Sequence, residues 1–239
     1  MFRPMQERLA AETIGPAPDF RHVEAWLFDL DNTLYPMDEA AHSVIEERIC
    51  VFVQRHFDLP REPAFKIQKQ YLYDYGSTLA GLVKHDGVDA DIYHDFVNDL
   101  DALRLKPDPA LRESLERLPG RRVVFTNNCG RFARAVLERV GIEGLFDDIV
   151  DARTTNFVPK PQAGAYETLI RRGVVAKSAA LFDDSARNLL QAHALGMTTV
   201  WFNNGFGHAK HGALHDATSR AHIHYETSAL APFLNSIRI

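Results

Sequence analysis

Short apolar runs alternate with amphipathic stretches along most of the chain. The runs AWLFDL, RRVVFTN, DDIVDA, AALFDD and TTVWF predict buried strands, and HIHYE predicts a weaker sixth. Between most of them lie stretches of helical period, namely RFARAVLERVGI, QAGAYETLIRRG and SARNLLQAHALG, and we expect Gly141 and Gly196 to end two of these helices. Alternating buried strands and helices predict an α/β fold with a doubly wound, parallel, Rossmann-like sheet.

The interval between the first two strands is longer than a simple crossover requires. Residues 37–106 hold helical patterns without a convincing strand. We therefore expect a core domain formed by residues 23–36 and 107–239, with residues 37–106 inserted as an α-helical cap domain. Residues 1–22, which are polar with three prolines, are expected to form a loosely held N-terminal arm. In the first cap helix we expect one apolar stripe: Ala41, Val44, Ile45, Ile49, Phe52 and Val53.

Composition and charge narrow the classes of function. The 239 residues are 46% hydrophobic and 25% charged, which is typical of a soluble globular protein. The net charge of -5 argues against a nucleic-acid polymer as partner but is compatible with a small anionic ligand. We expect no membrane association and a cytoplasmic location, because no apolar run approaches roughly 20 residues and the N-terminus lacks an apolar signal segment. The two cysteines, Cys50 and Cys129, fit a reducing compartment.

Two carboxylates follow the first predicted strand directly, in the segment LFDLDNTLYP. Asp29 and Asp31 would repel each other and would be partly desolvated beside Trp26 and Phe28 unless a counter-charge lies nearby. Ligands bind at the carboxyl ends of the strands in parallel sheets, and Thr126 also falls at such an end. The pattern therefore indicates a site that requires positive charge.

A metal ion and a lysine can supply that positive charge. Asp29 and Asp31, together with Asp183 and Asp184, are hard oxygen ligands of the kind that Mg²⁺ takes, so we expect Mg²⁺ as cofactor. Lys160 lies between prolines in VPKPQ, where a restrained loop can aim its ammonium group. A hydroxyl and backbone N–H groups at the end of a strand can bind phosphate, and we expect this of two residues: Thr126 and Asn127.

The segments DLDNTL, FTNN, KPQ and FDDS, in this order, resemble the motifs of the haloacid dehalogenase superfamily of phosphotransferases. The resemblance implies that Asp29 is the nucleophile that forms an aspartyl-phosphate. It implies that Asp31 is the general acid for the leaving oxygen and then the base that activates water. It also places the metal on the Asp29 carboxylate and the Asp31 backbone carbonyl. The other matched positions are the acidic pair of the metal site, Asp183 and Asp184, and the phosphate-binding Thr126 and Lys160.

Within this superfamily, DNTLYP and YGSTLAGL resemble the pyrimidine 5'-nucleotidase type, whose usual cap segment reads YGTTL. Ser77 departs from that form, although one hydroxyl replaces another. The resemblance implies that residues 75–82 form a cap loop facing the nucleophile. The tyrosines beside it, Tyr71, Tyr73 and Tyr75, either present aromatic faces to a base or simply pack the cap. Substrate contacts are expected from six residues: Asn127, Asn128, Tyr75, Gly76, Ser77 and Thr78.

The expected function is a Mg²⁺-dependent phosphatase that hydrolyses a small phosphorylated metabolite through an aspartyl-phosphate, as a pyrimidine 5'-nucleotidase. The alternative is a general small-molecule phosphatase acting on a sugar phosphate, phosphoglycolate or pyridoxal phosphate. A dehalogenase would lack Asp31 and would not use Mg²⁺, and a phospho-receiver module would have another motif order and no cap. The oligomeric state is left open.

Two other groups of residues have less specific interpretations. We interpret Cys129 as a small, partly apolar filler and not as a reactive thiol. The C-terminal histidines fit a solvated loop better than a metal site, because no acidic or cysteine partner accompanies them at a recognisable spacing: His208, His211, His215, His222 and His224.

Overall fold

The computed structural model describes residues 17–203 and 220–239, and a parallel sheet of six strands lies at its centre. The strand order is β3-β2-β1-β4-β5-β6, and all neighbouring pairs are parallel. The predicted α/β fold with a doubly wound parallel sheet is therefore confirmed. The strands are β1 (Ala25–Phe28), β2 (Arg121–Phe125), β3 (Asp148–Val150), β4 (Ala179–Asp183), β5 (Thr198–Phe202) and β6 (Tyr225–Thr227).

The helices fall into two groups. Four of them follow β1 within residues 39–97, namely α1 (Glu39–Phe57), α2 (Arg61–Tyr75), α3 (Thr78–Asp86) and α4 (Ala90–Val97). The others flank the sheet, namely α5 (Pro109–Glu116), α6 (Gly130–Val140), α7 (Ala163–Arg171), α8 (Ala186–Ala194) and α9 (Leu230–Ser236). Among the helices of the described residues, none combines the length and the apolarity needed to cross a membrane.

Side chains of the central strands pack on both faces of the sheet. In β1, Trp26 and Phe28 belong to one apolar cluster with Val136 of α6, whereas Leu27 belongs to a second cluster with Tyr166 of α7. This alternation follows from the two-residue period of a strand, and burial on both faces explains why β1 and β4 read as continuous apolar runs. The sheet is thus covered by apolar side chains on both faces, and its strand ends carry polar residues.

Helices α1–α4 surround an apolar cluster of their own, which includes Cys50, Val53 and Leu82. Most of the apolar stripe expected on α1 is packed, since Ala41 belongs to the core cluster and Val53 to the cluster of α1–α4, against which Ile45, Ile49 and Phe52 also pack. Val44 is the exception and is 39% exposed. The helix therefore contacts different partners at its two ends.

The end of the expected N-terminal arm is part of the core. Residues 1–16 lie outside the described residues, but Phe20 is fully buried and its ring stacks on Trp26 at a centroid distance of 5.7 Å. The backbone N–H of Phe20 donates to the carbonyl of Arg238 at 2.8 Å, and that of Arg238 donates to Pro18 at 2.9 Å. A loosely held arm is therefore the wrong description for residues 17–22.

Candidate active site

The carboxyl ends of three adjacent strands bring the predicted site residues together. Asp29 follows β1, Thr126 follows β2 and Asp183 ends β4. The register aligns these ends, since Phe28 pairs with Val124 on one side and with Phe182 on the other. The backbone N–H of Asp29 continues this ladder by donating to the carbonyl of Phe182 at 2.9 Å.

Lys160 lies in the loop before α7 and is buried among these strand ends. Its Nζ donates three hydrogen bonds of 2.7 Å, to Asp29 Oδ1, Asp183 Oδ2 and the carbonyl oxygen of Phe125. An ammonium group has three N–H donors, so each has a partner. Asn127 fixes the backbone of the same residue, because its Oδ1 accepts from Lys160 N at 2.8 Å and its Nδ2 donates to Lys160 O at 3.2 Å.

The charges of these buried groups compensate one another only in part. Burial by itself lowers the pKa of Lys160, but the adjacent Asp183 and Asp29 carboxylates outweigh burial and hold this pKa above its usual value. Burial also raises the pKa of Asp29 and that of Asp183, and Lys160 opposes the rise in both. These carboxylates therefore bind protons more tightly than a free aspartate does in water. This is expected where one lysine does not balance the charge of several buried carboxylates.

Three carboxylates form a group that can hold a metal ion. Asp29, Asp183 and Asp184 each offer one oxygen, and these oxygens lie within 4.8 Å of one another. Because all the donors are hard carboxylate oxygens and Lys160 is the cation bonded to two of the three, the residues fit a divalent cation such as Mg²⁺. The carboxylate of Asp31 lies outside this group, and contact of its backbone carbonyl with a metal stays a prediction.

Asp183 already has several partners inside the protein. Its Oδ1 accepts from Ser185 N and from Asn188 Nδ2, both at 2.9 Å, and its Oδ2 accepts from Lys160. Asp184 is only half-buried, and its Oδ2 accepts from Asn32 Nδ2 at 2.8 Å. The two members of the acidic pair are therefore not equivalent, since Asp183 organises its surroundings in addition to offering an oxygen to a metal.

Asp31 is held by a residue that sequence reasoning missed. The hydroxyl of Tyr35 donates to Asp31 Oδ1 at 2.5 Å, and Asn128 Nδ2 lies 3.5 Å from Asp31 Oδ2. Burial raises the pKa of Asp31, and the hydrogen bonds from Tyr35 and Asn128 only partly offset this rise. The sequence places a tyrosine four residues after Asp31, which is compatible with a contact between the two side chains. Whether they meet depends on the turn at Asn32, which has a φ of 58°.

The residues after β2 are hydrogen-bonded to one another. The buried Thr126 hydroxyl accepts from the backbone N–H of Asn128 at 2.9 Å, and Asn128 Oδ1 accepts from the backbone N–H of Cys129 at 2.8 Å. Burial raises the pKa of the Cys129 thiol, which is the opposite of what an activated thiol requires. Contact of Asn127 and Asn128 with a substrate stays a prediction.

The cap segment that we expected to be a loop is a tight corner between two helices. Tyr75 ends α2, Gly76 takes a left-handed conformation with φ of 83°, and Ser77 caps α3 through a hydrogen bond from Ala80 N to its Oγ at 3.0 Å. The expectation of a loop over residues 75–82 is therefore wrong in its extent, because Gly76 and Ser77 suffice to reverse the chain. Thr78 is buried in α3, where its hydroxyl donates to Gln68 O at 3.1 Å.

This corner rests on the loop that carries Lys160. Gln162 Nε2 donates to the carbonyl oxygen of Tyr75 at 2.6 Å, and a Cβ atom on Gly76 would lie 3.2 Å from Pro159 Cγ. The ring of Tyr75 points into the cap, where its centroid lies 4.8 Å from that of His85. The expected cap residues Gly76 and Ser77 are thus near the site, whereas the Tyr75 ring packs within the cap.

The described C-terminal histidines are structural. His208, His211 and His215 lie outside the described residues. His222 is buried and its Nε2 hydrogen-bonds the carbonyl of Ala186 at 2.9 Å, and His224 Nδ1 accepts from Thr199 N at 3.1 Å. A solvated loop is therefore the wrong interpretation for His222, whereas His224 is exposed in the bend before β6.

The chain is similar in sequence to known proteins. A model of the haloacid dehalogenase-like hydrolase family matches residues 23–196. Phosphate metabolism protein 8 of Saccharomyces cerevisiae is 28% identical over 202 residues, which cover 77% of this chain and 63% of that protein. The chain thus spans less than two thirds of the length of this relative.

Solved structures share the fold at low sequence identity. A HAD phosphatase from Thermococcus onnurineus is 21% identical with a TM-score of 0.56, covering 91% of this chain and 100% of that one. The magnesium-bound HAD hydrolase YfnB from Bacillus subtilis is 16% identical with a TM-score of 0.55, over 91% and 99% of the two chains. The L-2-haloacid dehalogenase from Xanthobacter autotrophicus is 16% identical with a TM-score of 0.54, over 89% and 97%.

Proposed function

The chain belongs to the haloacid dehalogenase-like hydrolase family, and we propose that it is a Mg²⁺-dependent phosphatase that hydrolyses small phosphate monoesters through an aspartyl-phosphate. One observation carries this proposal: Lys160 is buried and bonded at 2.7 Å to Asp29 and to Asp183, beside Thr126 at the end of the next strand. A cation and a hydroxyl beside a carboxylate form a binding site for a phosphoryl group, and phosphoryl transfer depends mainly on such positioning and charge neutralisation.

Asp29 is the nucleophile in this proposal. Lys160 bonds its Oδ1, which leaves Oδ2 to attack phosphorus. A new O–P bond forms on Asp29 while the bond from phosphorus to the ester oxygen breaks. Splitting hydrolysis into two displacements makes each of them easier, and water releases phosphate from Asp29 in the second. In both displacements Lys160 neutralises charge beside the reacting carboxylate, and the Thr126 hydroxyl donates to a phosphoryl oxygen.

Asp31 donates a proton in the first displacement and accepts one in the second. Because burial raises its pKa, its carboxyl can carry the proton that the leaving oxygen needs, and the resulting carboxylate then takes a proton from the attacking water. Tyr35 fixes Oδ1, so the other oxygen, Oδ2, is the one that transfers the proton. Asp29, Asp183 and Asp184 would hold Mg²⁺, which when bound neutralises charge on the phosphoryl oxygens and on the carboxylates.

For the substrate, we propose a pyrimidine nucleoside 5'-monophosphate. The resemblance of DNTLYP and YGSTLAGL to the pyrimidine 5'-nucleotidase type supports this choice, and the alternative is a general phosphatase for sugar phosphates, phosphoglycolate or pyridoxal phosphate. The cap corner rests on the loop that carries Lys160, through the hydrogen bond from Gln162 Nε2 to Tyr75 O at 2.6 Å. We therefore propose that the cap moves away from the core to admit a nucleotide.

The first test is turnover of a generic aryl phosphate. Wild-type protein should hydrolyse para-nitrophenyl phosphate with added Mg²⁺ and lose this activity in excess EDTA. Asp29→Asn should reduce turnover more than about a hundredfold, because the nucleophile loses its charge. Asp101→Asn is the matched control, since this carboxylate is on the surface with 88% of its side chain exposed. An Asp29→Asn protein that keeps more than about a hundredth of wild-type turnover contradicts the covalent mechanism.

The second test compares kcat/KM across phosphate esters and against halide release from 2-chloropropionate. UMP and CMP should exceed sugar phosphates, phosphoglycolate and pyridoxal phosphate by at least about tenfold, because a site that bonds a base rejects ligands that leave its polar groups unpaired. A smaller preference supports a general phosphatase. Halide release without phosphatase activity would favour a dehalogenase, which Asp31 argues against.

A further inference from the structure

Two asparagines face each other across the boundary between cap and core. Asn98, which follows α4, donates from Nδ2 to Asn128 Oδ1 at 2.9 Å. In return Asn128 Nδ2 donates to Asn98 Oδ1 at 3.3 Å. Each amide thus acts as donor and acceptor towards the other, so the orientation of one amide determines the orientation of the other.

The core side of this pair continues to the proposed general acid. Asn128 Oδ1 also accepts from Cys129 N at 2.8 Å, so its Nδ2 must face the opposite way. That direction holds two acceptors, Asn98 Oδ1 at 3.3 Å and Asp31 Oδ2 at 3.5 Å, which match the two N–H donors of the amide. Since Tyr35 occupies Oδ1, Asp31 Oδ2 is the oxygen that Asn128 orients.

The cap side of the pair is held from α4. The backbone N–H of Asn98 donates to His94 O at 3.0 Å, and its Nδ2 lies 3.4 Å from His94 Nδ1. The same helix contacts the core through two ion pairs that do not involve the asparagines, Asp91 with Arg153 and Asp95 with Arg131. Both ion pairs are solvent-exposed, whereas the amide pair lies next to Asp31.

We propose that Asn98 is a positioning residue that couples closure of the cap to the orientation of Asp31 through Asn128. With the cap against the core, Asn98 Oδ1 takes one hydrogen of the Asn128 amide and directs the other towards Asp31 Oδ2. When the cap moves away to admit a substrate, Asn128 loses this acceptor and its amide is free to turn. The proton-transferring oxygen is therefore oriented only in the closed state, when the ester lies beside it.

This inference rests on the proposed function. Its kinetic test distinguishes the loss of activity caused by a misoriented Asp31 from the loss caused by weaker contact between cap and core. Asn98→Ala should lower kcat about tenfold for an alkyl phosphate, whose leaving oxygen needs a well-placed proton, and less than about threefold for para-nitrophenyl phosphate. KM should change less than about threefold for both esters. Asp91→Asn is the matched control, because it removes a contact between α4 and the core without touching Asn128, and it should not discriminate between the two esters.

A readout independent of activity completes the test. The side-chain amide resonances of Asn128 in ¹⁵N-labelled protein, assigned with Asn128→Ala, should shift in Asn98→Ala and in Asp31→Asn, beyond the change seen in Asp91→Asn. Equal kinetic losses on both esters, the same discrimination in Asp91→Asn, or an unchanged Asn128 resonance in Asn98→Ala overturns the inference. If wild-type protein hydrolyses no phosphate ester, the proposed function fails, and the resonances alone decide whether Asn98 orients Asn128 towards Asp31.

Discussion

Lys160 Nζ lies 2.7 Å from Asp29 Oδ1, although 131 positions of sequence separate the two residues. The contact joins a loop that precedes α7 to the end of the central strand β1, and both side chains are at least nine-tenths buried. The pair forms only after the sheet and the loop are in place, so the charge balance of the site depends on the whole fold.

Removing the lysine should therefore destabilise the protein strongly. Lys160→Met leaves Asp29 and Asp183 buried without their cation, and breaking a buried pair in this way costs about 3–5 kcal/mol. Urea unfolding measures the loss. Lys66→Met is the control, because Lys66 forms only an exposed pair with Glu62 and should cost less than about 0.5 kcal/mol. Equal midpoints for Lys160→Met and wild type would contradict the buried contact.

The two members of the acidic pair should respond differently to substitution. Asp184→Asn should keep the fold and raise the Mg²⁺ concentration needed for half-maximal activity about 10- to 100-fold, because it removes a carboxylate from the proposed metal group. Asp183→Asn should also lower the unfolding midpoint without metal, since an amide cannot accept from Ser185, Asn188 and Lys160 together. If both variants changed the stability of the protein equally, the different roles assigned to Asp183 and Asp184 would be wrong.

Asp31→Asn tests the proton-transfer role. General acid catalysis contributes roughly 10² to 10⁴ in rate, and an activated aryl ester needs less of it than an alkyl ester. The variant should therefore lose more turnover on alkyl phosphates than on para-nitrophenyl phosphate. Matched losses on both esters would show that Asp31 acts in another way.

His94 should make the protein sensitive to acid. Burial lowers the pKa of His94 from 6.5 to about 4, so the folded state keeps this ring neutral while the unfolded chain takes up a proton. Stability is therefore lost as the pH falls from about 6.5 towards 4, and no more is lost below that pH. The total loss is about 3 kcal/mol. His94→Leu should narrow the difference between the free energies of unfolding at pH 7.5 and 4.5. An unchanged difference in the variant would be inconsistent with a neutral buried ring.

Gly81 should be required for the packing of α2 against α3. A Cβ atom at this position would lie 2.4 Å from Tyr71 Cγ, so Gly81→Ala must displace the ring or the helix at a cost of about 1–3 kcal/mol. Gly164→Ala is the matched control, because Gly164 is also helical and the nearest atom to its Cβ would be Val158 Cγ1, at 3.2 Å. Thermal unfolding of both variants measures the difference, and equal melting temperatures would contradict the close approach.

Sequence reasoning succeeded where a signal lies within one short segment. Each predicted strand is a run of apolar residues with its own length and flanks, and Gly141 ends α6 with φ of 79° as its position after the helix indicated. The proximity of Lys160 to Asp29 and Asp183 was also expected, because parallel strands bring their carboxyl ends to one edge of the sheet.

The remainder depends on contacts that no single segment encodes. Phe20 stands alone in a polar, proline-containing stretch, and only its stacking on Trp26 shows that it belongs to the core. The pairing of Asn98 with Asn128 joins two separate elements, and neither residue differs from an ordinary turn asparagine in the sequence. Similarly, His222 resembles a solvated residue until the position of α8 supplies the carbonyl of Ala186.

The crowding of carboxylates around one lysine has a consequence for laboratory evolution. Asp29, Asp31 and Asp183 all have pKa values raised by burial, so each is held in a place where its charged form is disfavoured. Replacing such a group with a neutral one relieves repulsion, and stabilising substitutions of this kind commonly remove activity. Selection of variants for heat resistance alone should therefore enrich neutral residues at Asp31, whereas Asp183 is kept by its hydrogen bonds to Ser185, Asn188 and Lys160. A library screened in this way would yield stable proteins without turnover.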